Sequence, residues 1–298
     1  MTEIFATRTR VVRELSGALG AIADGSVIGL GGTLTAGRPM ALLRELLRQR
    51  PRDLTLVSPV ASIDVDLAVA TGCVARVVTS YVGAESVAGV GPIFRAAVER
   101  GDVEVVDRDE AHCILGLRAA AQGLPFLPWL GGVGTDLPVT QPELVEFADP
   151  ITGRILLAIP AIALDLALIH AEVADDYGNV QFAGTGHTDM QLASAATRVI
   201  VQCDRIVPND TIRRNPAATY FWRNTTVVRA PWGTHPFASG AIDIDEAALR
   251  DFVTRARALL KGDSDEMERY VQDTIYKVST HEQYLETVGV TRISELLT

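Results

Sequence analysis

Residues 24–39 read Asp24-Gly-Ser-Val-Ile-Gly-Leu-Gly-Gly-Thr-Leu-Thr-Ala-Gly-Arg-Pro39. Ser26–Leu30 has the apolar continuity of a buried strand, and it runs straight into a turn holding Gly31, Gly32 and Gly37. Pro39 then stands near the first turn of a helix predicted over Met40–Arg50, which Pro51 stops. Glycines in such a turn let a ligand approach the backbone closely. The helix N-terminus behind it offers unpaired N–H groups to an anion or a developing oxyanion. The same pattern also occurs as a plain tight connection with no ligand. Two nucleotide motifs are excluded. No Gly-Lys-Ser/Thr closes the turn as in a Walker loop, and the glycines are out of register for Gly-x-Gly-x-x-Gly.

The strand–helix rhythm continues outward from this stretch. Val11, Leu15, Leu19 and Ile22 share a helical face before it, predicting an opening helix that ends near Asp24-Gly25. After it come a strand at Leu54–Val57, a helix at Asp64–Ala70, a strand at Arg76–Ser80 and a helix at Pro92–Arg100. A strand at Val103–Val106 and a helix at Asp109–Gln122 follow. Such alternation indicates an α/β fold with an open, mostly parallel sheet and helices on both faces. Residues 123–153 break the rhythm and read as a long functional loop or excursion, not a domain linker. Ile155–Ile169 reads as two buried strands separated by a turn, with a further strand at Arg198–Gln202. From Glu246 the pattern is helical and amphipathic, a C-terminal cover. One domain over residues 1–298 is expected.

The 298 residues are 48% apolar and 21% charged, ordinary for a globular protein. A net charge of −10 with no basic stripe argues against nucleic acid as a partner. The first twenty residues lack the apolar core of a signal peptide, and the greasiest stretch is broken by Pro160 and Asp165. Neither a leader nor a membrane span is expected. Cys73, Cys113 and Cys203 show neither disulfide nor metal spacing, which points to a reducing, cytoplasmic setting. No His, Cys and carboxylate cluster has metal-ligand spacing, so no metal is expected.

The glycine turn resembles the A-subunit signature of family I coenzyme A transferases: Asp-Gly, an apolar strand, Gly-Gly, four residues, then Gly-x-Pro. Gly31, Gly32, Gly37 and Pro39 match; Gly29 interrupts the apolar triplet, and Thr33 stands where an aromatic is usual. Thr79-Ser80-Tyr81-Val82-Gly83 is similar to the family's strand-end motif. Gly123–Pro128 followed by Gly134-Thr135-Asp136-Leu137 is similar to its pocket-lining loop. His170 with Asp175, Gly178 and Asn179 resembles its strand-turn-strand. Gly233-Thr234-His235-Pro236 and Gln283-Tyr284-Leu285 with Gly289–Arg292 look like the A halves of glutaconate-type enzymes.

The resemblance implies that Gly31, Gly32, Thr33, Gly37, Arg38, Ser80, Tyr81 and Gly83 meet acyl-CoA. It implies no permanently bound cofactor, with coenzyme A as a substrate, and a B-type partner subunit in an α2β2 assembly. In that family a glutamate of the B half attacks the thioester and passes through a mixed anhydride to a glutamyl-CoA thioester. It then hands CoA to a second acid. Glu85 is followed by Ser86 and Val87, not by the small residue and glycine of that nucleophile motif, and is rejected as the nucleophile.

By its distance from the Gly-Leu-Pro loop, Glu110 stands where the resemblance places a common glutamine, and a subset that includes the steroid ring-opening hydrolases carries glutamate. It is the candidate acid/base; alternatively it serves only the dipole of the helix it opens. The function implied is CoA transfer between an acyl-CoA and a carboxylic acid. The rivals are hydrolytic opening of a cyclic diketone on an acyl-CoA, with Glu110 as base, and a non-catalytic ligand-binding α/β domain. His170 and His235 read as hydrogen-bonding anchors and His187 as a loop residue facing the cleft. Asp204-Arg205 through Arg213-Arg214 reads as a solvated or subunit-contacting edge, and Trp129, Trp222 and Trp232 as packing or interface residues.

Overall fold

Leu166 and Leu168 point to one side of a strand while Ala167, Ile169 and Ala171 point to the other, and all five are buried. A strand covered on both faces belongs inside a parallel sheet. The computed structural model describes residues 9–297 apart from Ser86, Ala88, Thr185 and Ala241. Its main ladder comprises Val12–Arg13 (β1), Val27–Leu30 (β2), Leu54–Val57 (β3), Val74–Thr79 (β4) and Glu104–Asp107 (β5), then Leu164–Ala174 (β6), Ala196–Ile206 (β7) and Thr225–Arg229 (β8). The order is β1-β8-β7-β6-β2-β3-β4-β5, with every one of these pairings parallel. Among the described residues, Val180–Gln181 and Thr219–Tyr220 add antiparallel pairs to this sheet, starting from the last two residues of β6. The open, mostly parallel α/β sheet expected from the alternation is what forms.

Two apolar cores lie on the two faces. One packs Leu30, Leu56 and Leu168 under the helices Met40–Arg48, Ile63–Ala70 and Pro92–Arg100. Leu249, Phe252, Val253 and Ala256 of Glu246–Leu259 close the same core, so the C-terminal helices do cover the sheet. The other core packs Ile169, Val199 and Val201 against Leu117 of Glu110–Ala121 and Leu192 of Asp189–Ala195. Each fully buried leucine contributes roughly 1.5–3 kcal/mol of transfer free energy.

One helix is capped from outside its own segment. Pro92–Arg100 begins after Gly91, which has no side chain to cap it. Asp66, on the neighbouring helix, accepts from the Phe94 N–H at 2.6 Å, satisfying one of the unpaired donors of that helix N-terminus. A Cβ on Gly91 would lie 2.8 Å from Asp66 Oδ1.

One expectation is corrected and another refined. The opening helix is reduced to Leu15–Ala18, because Val12–Arg13 pairs with Val227–Val228 at the sheet edge. Val11 is tied on both sides, donating to the Asp176 carbonyl and accepting from Val227 N–H, and Gly20 has φ +62°. Tertiary pairing therefore overrides the helical period. Residues 123–153 form an excursion with strands of its own, not a plain loop: Phe126–Trp129 and Val145–Ala148 flank Ile155–Pro160 in a three-stranded antiparallel sheet. Ile155–Pro160 thus belongs to a different sheet from β6.

Candidate active site at the strand ends

From β2 the chain builds outward through β3, β4 and β5, then returns to start β6 on the other side of β2. The β2/β6 boundary is the topological switch point, and in open α/β sheets ligands collect at the C-terminal strand ends there. A cavity of about 330 Å³ opens at this place, walled by Gly32, Gly37, His170, Glu172, Asp189 and Ser239, among others.

The glycine turn is shaped by the protein itself. Gly32 has φ +78°, and a Cβ there would lie 2.6 Å from Gly37 backbone atoms. A Cβ on Gly31 would lie 2.1 Å from Asp189 Oδ1. Gly32 N–H donates to that same oxygen at 2.9 Å, so it is not an oxyanion donor. The helix behind the turn is likewise closed to anions. Ala41 N–H donates to the Gly233 carbonyl and Leu42 N–H to Gln202 Oε1. Thr33 and Ala36 bridge the turn, while Gly32 and Gly37 line the cavity.

Arg38 is turned into the protein. Its side chain is fully buried beside Asp64 at 3.5 Å and donates to Gly31 O, Leu34 O, Ser58 Oγ and Val60 O. Burial lowers its pKa, against the attraction of Asp64 and Asp189. It braces the turn from within.

The remaining expected residues share the same edge. Ser80 follows β4 and donates through both N–H and hydroxyl to the Pro59 carbonyl. Tyr81 folds over Gly83, where a Cβ would lie 2.4 Å from the Tyr81 hydroxyl oxygen. Burial raises the Tyr81 pKa, and the Glu85 charge adds to it. Glu110 is exposed at the start of its helix, after β5, next to the N-cap Asp109, which accepts from Ala111 N–H. The 123–153 segment folds back to this end. His112 Nε2 meets the Gly131 carbonyl at 3.1 Å, and Arg108 pairs with Glu143 at 2.8 Å. Glu110 and the glycine turn are three strand positions apart, about 14 Å at ~4.8 Å per strand, so one small group does not bridge them.

The cavity side carries a network that sequence reading missed. Gln202 must turn its oxygen to Leu42 N–H, so its Nε2 donates to His170 Nδ1 at 3.2 Å. His170 therefore carries its proton on Nε2, 2.6 Å from Ser239 Oγ, and Ser239 donates on to Glu172 Oε1 at 3.3 Å. Burial lowers the His170 pKa to about 3, keeping the ring neutral. Burial also raises Asp189 to about 7, opposed by the Gly32 N–H and by Arg38. Asp204, 3.6 Å from His170, is raised by burial to about 6. His170 is the anchor expected of it. His187 lines the cavity. The signal for the rest was a polar residue, Gln202, following the apolar run Val199–Val201 inside β7.

Two motifs far apart in sequence also meet. His235 Nε2 lies 3.1 Å from Asp245 Oδ2, Arg292 grips both Asp245 oxygens, and Tyr284 meets His235 Nδ1. His235 is thus an anchor as well. Trp222 stacks on Tyr220 with centroids 6.2 Å apart, while Trp129 is 41% exposed on the small sheet. Of the charged 204–214 stretch, Arg213 and Asp210 are solvated, whereas Asp204 faces inward.

A family profile described as coenzyme A transferase matches residues 13–221. The chain belongs to the coenzyme A transferase family. Within it, the chain is 30% identical to the A-type chain of glutaconate CoA-transferase from Acidaminococcus fermentans, over 92% of this chain and 90% of that one. The crystal structure of glutaconate coenzyme A-transferase from that organism superposes with a TM-score of 0.89 at 28% identity, covering 97% and 96% of the two chains. A cholesterol ring-cleaving hydrolase IpdA subunit of Rhodococcus jostii is 31% identical over 82% of this chain and 86% of that one. An uncharacterized protein of Archaeoglobus fulgidus is 34% identical over 93% of this chain, which spans only 61% of that protein's length. The transferase fold and an enzyme-subunit identity therefore hold for this chain. Among the described residues, no helix is long and apolar enough to cross a membrane, and no His, Cys, Asp and Glu group is arranged to hold a metal.

Proposed function

We propose that residues 1–298 act as one A-type unit of a two-component CoA-transferase, in an α2β2 assembly in the cytoplasm. The observation that carries this reading is the near full-length match to the A-type chain of a glutaconate CoA-transferase, taken with a strand-end edge that offers no nucleophile motif of its own. The B-type partner supplies the glutamate that attacks the acyl-CoA thioester. CoA leaves as the acyl-glutamyl anhydride forms, then attacks the glutamyl carbonyl, releasing the first acid and leaving a glutamyl-CoA thioester. A second carboxylate repeats the two steps in reverse, so that it takes the CoA and the glutamate is set free. Ser80, Tyr81 and the backbone of the glycine turn form the A-side wall, and coenzyme A is a substrate, not a resident cofactor. The non-reacting arm of CoA supplies binding energy used at the thioester.

The test is to purify the chain alone and together with a co-expressed B-type subunit, then assay CoA exchange between an acyl-CoA and a free acid. Exchange by the pair and none by the chain alone is expected. Turnover by the chain alone, with a glutamyl thioester trapped on it, overturns the reading.

A second reading is favoured by one observation: Glu110 is exposed at a helix start on the site edge, in a chain similar to an IpdA subunit. There it would activate water for ring-opening hydrolysis.

A further inference from the structure

The switch-point cavity carries carboxylates on its walls. Glu172 and Asp189 line it beside His170 and His187, and among the described lining residues there is no lysine or arginine. The cation nearest by charge to Asp189, Arg38, is fully buried with its donors engaged elsewhere. Glu172 itself is held in place: Ala183 N–H donates to Oε2 at 2.7 Å, and Ser239 donates to Oε1. Ser239 is in turn oriented by His170, whose proton is assigned to Nε2 by Gln202. Each carboxylate oxygen has a second lone-pair site at which a ligand donor can bind. Gly240 is pressed against the Glu172 stem, where a Cβ would lie 2.9 Å from Cγ, so the carboxylate has little room to swing away.

We propose that this cavity is an acyl subsite in which Glu172 selects acyl groups ending in a hydrogen-bond donor, a hydroxyl or an amide N–H, and rejects those ending in a carboxylate. Glu172 is the specificity determinant, and the Gln202–His170–Ser239 chain is its positioning device. The proposal deepens the CoA-transfer reading and rests on it. A fixed acceptor facing a donor forms a charge-assisted bond without reorganisation. A terminal carboxylate entering the same space would meet the like charge of Glu172 with no lysine or arginine on the cavity wall to offset it.

The experiment offers the complex of this chain with its B-type partner three six-carbon acyl-CoAs that differ only at the far end: methyl, hydroxyl or carboxylate. In the wild type, kcat/KM for the hydroxyl form should exceed that for the carboxylate form by at least about 100-fold. Glu172→Gln keeps the size, removes the charge and adds a donor. It should raise carboxylate turnover until the ratio is below about 10, with the methyl form changed less than about 2-fold. Ser239→Ala frees the carboxylate without neutralising it, so hydroxyl preference over methyl should fall while carboxylate stays excluded. Thermal unfolding of each complex shows that it is folded, and Ser239→Ala supplies the answer if Glu172→Gln does not fold. A wild type that prefers the carboxylate form, or variants that leave both ratios unchanged, overturns the proposal. Absence of transfer with all three acyl groups would instead sink the transferase reading.

Discussion

Nδ1 of His235 sits 2.7 Å from the Tyr284 hydroxyl, across 49 residues of chain. Because Nε2 faces the Asp245 carboxylate, it carries the proton, and Nδ1 can only accept from tyrosine. Burial lowers the His235 pKa while the Asp245 hydrogen bond opposes this. Tyr284 is also covered by the Arg44 guanidinium, 3.5 Å above its ring. The helix His281–Val288 is thereby fastened to the loop that follows β8.

Tyr284→Phe keeps the ring and removes the donor, leaving a buried imidazole nitrogen unpaired. A loss of about 1–3 kcal/mol is expected, measured by urea unfolding. In a His235→Leu background the same substitution should cost markedly less, because the acceptor is gone. Equal losses in both backgrounds would deny the coupling.

Gly32 and Gly37 share a turn but differ in what a side chain would meet. Gly37 has φ +67° and its nearest obstacle is 3.5 Å away, so Gly37→Ala should cost only the left-handed strain of about 1–2 kcal/mol. Gly32→Ala adds backbone overlap at 2.6 Å and should cost clearly more, about 3 kcal/mol or above. Paired melting curves decide this. Equal costs would mean that the turn yields freely.

Burial raises the Asp66 pKa to about 7, opposed by the Phe94 and Ile93 N–H groups, with the Asp64 charge adding to the rise. An acid whose folded pKa exceeds its unfolded value of about 3.9 takes up a proton on folding between the two. Its stabilising contribution is complete below pH ~4 and lost as pH rises toward ~7. Asp66→Asn has no such proton. The stability of wild type relative to this variant should therefore fall with pH across that window, by at most about 1.4 kcal/mol per unit. A gap that is flat from pH 4 to 7 would show the carboxyl to be ionised throughout.

Glu110→Gln separates the two enzymatic readings. As a base for water, Glu110 is indispensable, and turnover should drop on the order of 100-fold or more with acyl-CoA binding retained. In a transferase the glutamine common among relatives should serve, and exchange should be nearly unchanged. A role limited to the helix dipole predicts a loss of about 0.3–1 kcal/mol in stability and no change in rate. Single-turnover assays and thermal unfolding on one preparation distinguish the three.

The sequence by itself determined the alternating α/β architecture, because buried parallel strands and amphipathic helices each leave a local period. The glycine turn after β2 and the strand-end segments around Ser80 and Glu110 were legible too, since turn chemistry is written in neighbouring residues. Tertiary structure alone decided why Gly31 and Gly32 are glycines: the space at Gly31 is taken by Asp189, whose carboxylate also holds the Gly32 N–H from 157 residues away, and the space at Gly32 by the Gly37 backbone. It decided that Val12–Arg13 is a strand, because pairing with Val227–Val228 outweighs a short helical pattern. It decided that Arg38 is an internal brace and that His170, Gln202, Ser239 and Glu172 form one chain of hydrogen bonds. The bonded pairs in that chain lie 32, 69 and 67 residues apart. Burial and hydrogen-bond satisfaction are properties of the folded surface, and no local pattern encodes which distant side chain will fill a given space.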